Sequence, residues 1–193
     1  MPTAVPARPG ASRLFVGGAI ALLALLSLCA ATATGYASAV RWVEHTLRVE
    51  EELDAWANAL VEIQSDSRGF IATGNPIFLR DRAELLTTEQ AKLQVLRALM
   101  ADNPSQLSAV AHANSDAQEI LQRLEQQLRL VEAGGRSQAI ERMGRGEGKQ
   151  LVDRFRAAVA KIGANEERLL DQRRAVATRR AWATLFGALV VAL

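Results

Sequence analysis

The sequence holds one cysteine, Cys29, and two histidines, His45 and His112. A single thiol closes no intramolecular disulfide, and two histidines without paired cysteines build neither a zinc ribbon nor a histidine-based metal centre. Aromatic residues are only 5% of the chain, with a single Tyr, and no apolar/polar alternation of period two runs beyond a few residues, so a sheet has little to be made from. Charge of one sign is also missing. The formal excess of +2 resides in Arg8 and Arg13; the rest of the chain is balanced, so the basic pI is no evidence for nucleic-acid binding and no nucleic-acid partner is expected. What remains plentiful is Ala, Leu, Arg, Glu and Gln, the composition of long helices.

The two ends lack charge altogether. No Asp, Glu, Lys or Arg occurs between Leu14 and Val40. Leu14–Ala33 alone gives about 30 Å of helix, enough for a hydrocarbon core. Arg8 and Arg13 before it, and Ala37-Ser38-Ala39 after it, leave a cleaved signal peptide as the competing reading. The apolar run exceeds the ~7 to 15 residues of such peptides, which favours a retained anchor. Ala181–Leu193 is a second uncharged run, about 20 Å long as helix, which reads as the start of a second membrane helix or as a buried core helix. The expected organisation is a cytoplasmic tail over residues 1–13, a membrane helix over 14–36, an extracytoplasmic segment over 37–180, and the second membrane helix from 181 to 193. The basic start places the N-terminus in the cytoplasm. Arg168, Arg173, Arg174, Arg179 and Arg180 beside the second run pull the other way, but long loops translocate largely regardless of charge.

The polar middle carries four helical patterns. Thr46, Val49, Leu53, Trp56, Leu60, Ile63, Ser67 and Phe70 step by three and four, a heptad seam that ends at Thr73-Gly74-Asn75-Pro76. A second helix is expected from about Pro76, with Leu79, Leu86, Leu93, Leu96 and Met100 on one face. Asn103-Pro104 then supplies an N-cap and a first-turn proline for a third. Its seam is Leu107, Val110, Asn114, Ala117, Leu121, Leu124, Leu128 and Val131, closed by Gly134-Gly135. Arg136–Met143 fits a short helical turn before the glycines 144, 146 and 148. The fourth seam runs through Leu151, Phe155, Ala158, Ile162, Asn165, Leu169, Gln172 and Val176 and continues without a breaker into Ala181. Short connections make consecutive helices antiparallel neighbours. The expected fold is therefore all-α, an antiparallel up-down-up-down four-helix bundle continuous with the flanking membrane helices.

Charge distribution favours pairing of the first and fourth helices. Arg41–Asp66 carries seven acids against two bases, and Arg136–Arg180 twelve bases against six acids. A simple hairpin would set Glu50–Asp54 at the height of Arg168–Arg174. Exposed pairs are each worth only about 0 to 1 kcal/mol, so the complement selects a pairing more than it stabilises one.

Four elements occur in order at helical spacing: Val43-Glu44-His45-Thr46 with Val49, Asp66-Ser67-Arg68-Gly69-Phe70-Ile71-Ala72-Thr73-Gly74, Asp102-Asn103-Pro104, and Glu167-Arg168-Leu169-Leu170-Asp171-Gln172-Arg173. Together they resemble the CHASE3 family of extracellular sensory domains, over about Val40–Arg180. Phe70 and Ala72 stand where Tyr and Leu are more usual. The resemblance implies the input module of a bacterial transmembrane receptor lying in the cytoplasmic membrane, most often a sensor histidine kinase and less often a diguanylate cyclase or chemoreceptor. It also implies a homodimer, and a small molecule or periplasmic protein as stimulus. It carries over no ligand, cofactor or catalytic residue.

Among single residues, Arg68 and Gly69 are the leading candidates for a ligand or signalling role. A glycine inside a helix costs about 1 kcal/mol relative to Ala and suggests close backbone approach. The competing role is helix-end packing, with Arg68 paired to a carboxylate. Asn114 and Asn165, like Ser67 and Gln172, interrupt apolar seams, as pocket-lining residues or as register-setting ones. His45 reads as structural or pH-sensing. Gly144-Arg145-Gly146-Glu147-Gly148-Lys149-Gln150 departs from a phosphate-binding loop in glycine spacing, in Gln150 and in having no preceding strand, and reads as an inter-helix turn. No nucleophile has an identifiable base, so the segment itself is expected to catalyse nothing and to need no cofactor. Two functions fit: signal input, or a membrane-anchored helical interaction protein without its own output.

Overall fold

The computed structural model describes residues 9–192. Among them it contains five α-helices and one 3-10 turn, and no strand: α1 (Pro9–Thr73), the turn (Pro76–Leu79), α2 (Arg82–Leu99), α3 (Pro104–Glu132), α4 (Arg136–Gly144) and α5 (Glu147–Ala192). Most of the expected basic tail, residues 1–8, and Leu193 at the end of the second apolar run lie outside the described residues. The chain divides into two units, His45–Leu169 and a second comprising residues 1–44 with Leu170–Leu193.

The first of these is the bundle. At one end Thr46 of α1 and Gln106 of α3 both donate to Glu166 of α5. Further along, Trp56 lies against Glu89 of α2 and Phe155 of α5. At the far end Ile71, Leu128 and Ala139 pack together. Numbers therefore rise along α1 and α3 while they fall along α2 and α5, the up-down-up-down order expected from short connections, with α4 as a short piece closing the far end.

The α1 seam follows the heptad. Val49, Leu53, Trp56, Leu60 and Ile63 are all buried, as are the polar seam residues Thr46 and Ser67. Each fully buried aliphatic of this kind contributes about 1.5 to 3 kcal/mol relative to exposure. At its end the seam shifts by one residue: Ile71 is fully buried, whereas Phe70 is only partly so. On α3 the buried face is likewise displaced, with Gln106, Ala113 and Ile120 inside and Leu107 and Leu121 packed at its margin. On α5 the core positions are Leu151, Val152, Phe155, Val159, Ile162 and Glu166. Asn165 and Leu169 lie half-buried at its edge. A straight α-helix has 3.6 residues per turn, so a face extrapolated at 3.5 drifts by about 20° per heptad and the following position rotates inward, as on α1 and α5; the α3 displacement runs the other way and is present from its first turn.

The ends of the helices have identifiable caps. Gly74 takes φ +71°, which lets its N–H donate to the Phe70 carbonyl. The Arg136 guanidinium lies over it, donating to the carbonyls of Ile71 at 3.0 Å and Ala72 at 2.7 Å, so two of the last open acceptors of α1 are satisfied from α4. A Cβ on residue 74 would come within 2.9 Å of that guanidinium. Pro76 does not begin the second helix directly. Asn75 accepts from the Ile77 N–H, and bonds from Phe78 to Asn75 and from Arg80 to Ile77 make a 3-10 turn, so α2 starts at Arg82. Leu79 consequently belongs with Ile71 and Leu128 rather than with Leu93 and Leu96. The Asn103 side chain caps α3, accepting from the Gln106 N–H with Pro104 in the first turn.

The expected charge register is corrected. Thr46 lies opposite Glu166 and Trp56 opposite Phe155, so Glu50–Asp54 are level with the part of α5 between Phe155 and Glu166, not with Arg168–Arg174. Glu52 pairs instead with Lys92 of α2 at 3.0 Å. In a bundle each helix has two neighbours, so the acidic run of α1 meets α2 as well as α5.

In the second unit, α1 carries an apolar window long enough to cross a membrane by length and composition. Phe15, Leu23 and Leu26 are more than half exposed, and an apolar surface of this extent marks a membrane or protein contact. The Arg173 guanidinium stacks on the Trp42 ring, 3.5 Å from its centroid.

Candidate ligand-binding site

Two buried carboxylates organise the bundle interior. Glu166 is 2% exposed and accepts hydrogen bonds from Thr46 Oγ1 at 3.2 Å and Gln106 Nε2 at 2.7 Å, with His45 Nε2 at 3.7 Å. Three helices are thereby tied at one level. Glu89 is fully buried and accepts from Trp56 Nε1 at 2.8 Å; its Oε2 has no hydrogen-bond partner among the described residues. Glu166 is thus held by protein groups and specifies packing, while Glu89 keeps one oxygen unpaired among the described residues. Ser67 is also satisfied internally. It donates to the Ile63 carbonyl and accepts from Arg82, whose other arm reaches Glu125 at 3.1 Å.

A cavity of about 90 Å³ opens near the other end, where α1, α3, α4 and the first turn of α5 converge. Its floor is apolar, made by Ile120, Leu124, Met143 and Leu151. Its walls are polar and basic: Arg68 and Gln64 from α1, Arg123 and Gln127 from α3, Arg142 from α4 and Lys149 from α5. No Asp or Glu lines it among the described residues. Arg123 lies 4.0 Å from Glu119 on its own helix, and Lys149 pairs with Asp153. Arg68 and Arg142 have no carboxylate partner among the described residues.

Of the four residues singled out from the sequence, only Arg68 lines this cavity. Gly69 serves the close approach that a mid-helix glycine suggests: a Cβ there would sit 2.6 Å from Phe78 Cδ1, so the Phe78 ring packs directly on the α1 backbone. Asn114 lies half-buried on α3, its Oδ1 without a hydrogen-bond partner. Asn165 accepts from Arg168 one turn away, at the opposite end of the bundle from Arg68. The structure brings these asparagines neither to each other nor to the cavity.

Arg142, Gly146, Gly148 and Lys149 escaped sequence reasoning as site residues. The glycine-rich stretch is the turn it was expected to be, with Gly146 at φ +79°, yet the same turn lines the cavity. The signal for them in the sequence is the basic excess of Arg136–Arg180.

Residues 39–176 match the family model described as the CHASE3 domain. No curated protein matches the chain. Among solved structures, the sensor domain of the histidine kinase HK9 from Rhodopseudomonas palustris aligns with a TM-score of 0.59 and 22% identity, over 65% of this chain and 98% of that one. At this identity the likeness shows a shared fold.

Proposed function

Because the chain belongs to the CHASE3 family, whose members are sensory domains, we propose that its bundle is the extracytoplasmic input module of a bacterial transmembrane receptor in the cytoplasmic membrane, a sensor histidine kinase in the first instance. The observation that carries this reading is the arrangement of α1 and α5. The chain enters and leaves the bundle at the end where Thr46 meets Glu166, and each helix continues unbroken beyond it, α1 back through the apolar run and α5 on to Ala192. A stimulus that biases two packings of the bundle is then passed on as a small piston or rotation of these helices, without unfolding. Receptors of this layout act as homodimers, and we extend that arrangement to this chain.

Residues 14–36 and the segment from Ala181 are membrane helices in this reading, with residues 1–13 cytoplasmic and 37–180 outside. In a Cys29→Ala background, single cysteines at the exposed positions Ser105 and Ser137 are expected to react with an impermeant thiol reagent on intact cells. Labelling only after lysis would overturn the topology.

The relay is tested by inserting one or two glycines after Ala177 in the full-length receptor. Each glycine costs about 1 kcal/mol of helix and breaks the rigid connection, so stimulus-dependent output should be lost while the helical circular dichroism stays nearly unchanged. Normal regulated output would mean that continuity of α5 is not the signalling route.

A further inference from the structure

The cavity between α1, α3, α4 and α5 has a chemical character that goes beyond a sensory role in general. Arg68 and Arg142 approach it from different helices, and no described carboxylate neutralises either. Guanidinium groups left in this state bind carboxylates through paired N–H donors. The other lining cations, Arg123 and Lys149, retain acidic neighbours on their own helices and add field more than free donors. Gly148 brings the first turn of α5 to the wall, and the positive end of that helix adds the same sign. The amides of Gln64 and Gln127 supply neutral donors.

Opposite these groups lie Ile120, Leu124 and Leu151, all buried, with Met143 beside them. Such a floor gives nothing to an inorganic anion and favours a hydrocarbon body. A volume of about 90 Å³ holds several water molecules, which suits a short organic acid.

We propose that this cavity binds a short aliphatic carboxylate, with Arg68 and Arg142 on the carboxylate and the chain over Ile120, Leu124 and Leu151. The site deepens the sensory reading by giving it a ligand class, and it stands at the end of the bundle remote from Glu166. A bound acid would draw α4 and the start of α5 toward α1, so occupancy favours one packing of these helices over the other.

The test uses the whole chain in lipid nanodiscs, titrated calorimetrically with butyrate, succinate, butyramide and sulfate. Saturable binding of butyrate or succinate is expected, with none for butyramide, which keeps the hydrocarbon body but carries no charge. R68Q and R142Q should each weaken binding roughly 10- to 100-fold, while their unliganded melting temperatures stay within a few degrees of the parent chain. Both arginines are solvent-exposed, so neither change removes a core contact. Sulfate binding as tightly as butyrate would show a site that reads charge alone and would overturn the proposed class. Butyrate binding that survives both substitutions, or no binding of either acid, would overturn the site itself. These outcomes are independent of receptor output, so they separate from failure of the glycine-insertion test, which bears on the sensory reading.

Discussion

Replacing Trp56 by alanine is expected to destabilise the bundle by about 3 to 5 kcal/mol, the range for removing a large aromatic side chain from a packed core. Trp56 is fully buried, its ring meets Phe155 edge-to-face at 5.0 Å, and its indole N–H is the donor held by the buried Glu89 carboxylate. Two effects can be separated. Trp56→Phe keeps most of the apolar volume but leaves Glu89 without that donor, at a cost of about 1 to 3 kcal/mol. Adding Glu89→Leu to Trp56→Phe should recover most of that loss, because the carboxylate that needed a partner is gone. Thermal unfolding followed by circular dichroism, arranged as a double-mutant cycle, reads both effects. If Trp56→Phe and the double variant melt together, well below the parent chain, the indole–carboxylate bond is not what couples α1 to α2.

A still larger effect is expected from Leu60→Asp or Leu124→Asp. Both leucines lie in the main core, 2% and 6% exposed; Leu124 also borders the cations of the cavity, so Leu60→Asp is the cleaner test. An unpaired carboxylate at such a place costs several kcal/mol. Since whole domains are stable by only about 5 to 15 kcal/mol, either change should abolish cooperative unfolding at physiological temperature. The control is Glu51→Lys, a charge reversal at an exposed position, which should move the melting temperature by no more than a few degrees. Equal shifts for core and surface changes would contradict the assignment of the seams.

How well the sequence announced these positions depends on the distance over which each is determined. The α1 seam and the stops at Gly74 and Gly134 were legible because spacing and cap chemistry act within one or two turns. Gly69 was legible for the same reason, since only the missing side chain admits the Phe78 ring. Glu89 and Glu166 were not. A carboxylate in a helical pattern belongs to the solvated face unless donors reach it from elsewhere, and here those donors sit 33 to 120 residues away in Trp56, Gln106 and Thr46. On α5 this made Asn165 look like the inward polar residue when its neighbour Glu166 holds that place. The basic cavity was invisible on the same ground, for it exists only where four helices converge. The pairing of α1 with α5 was correct in sense but not in register, because counting charge ignored that Glu52 finds Lys92.

The Thr46–Gln106–Glu166 layer also limits how far the helices can travel. Its tighter bond, from Gln106 to Glu166, is 2.7 Å long, and a hydrogen bond is effectively gone once stretched to about 3.6 Å. A displacement of α5 against α3 by one residue is about 1.5 Å along the axis, and by a full turn about 5.4 Å. A bond lying across the axes lengthens to only about 3.1 Å for the shorter step but to about 6 Å for the full turn, so only the longer slide takes the Gln106 amide away from the buried Glu166 carboxylate. The layer therefore acts as a detent: axial strokes of up to about 2 Å, or tilts pivoting on this level, keep it closed, and longer ones must break it. Gearing of that kind makes the bundle a short-throw lever, in which the end beyond Glu166 moves most when the helices rock about the layer and least when they try to slide past it.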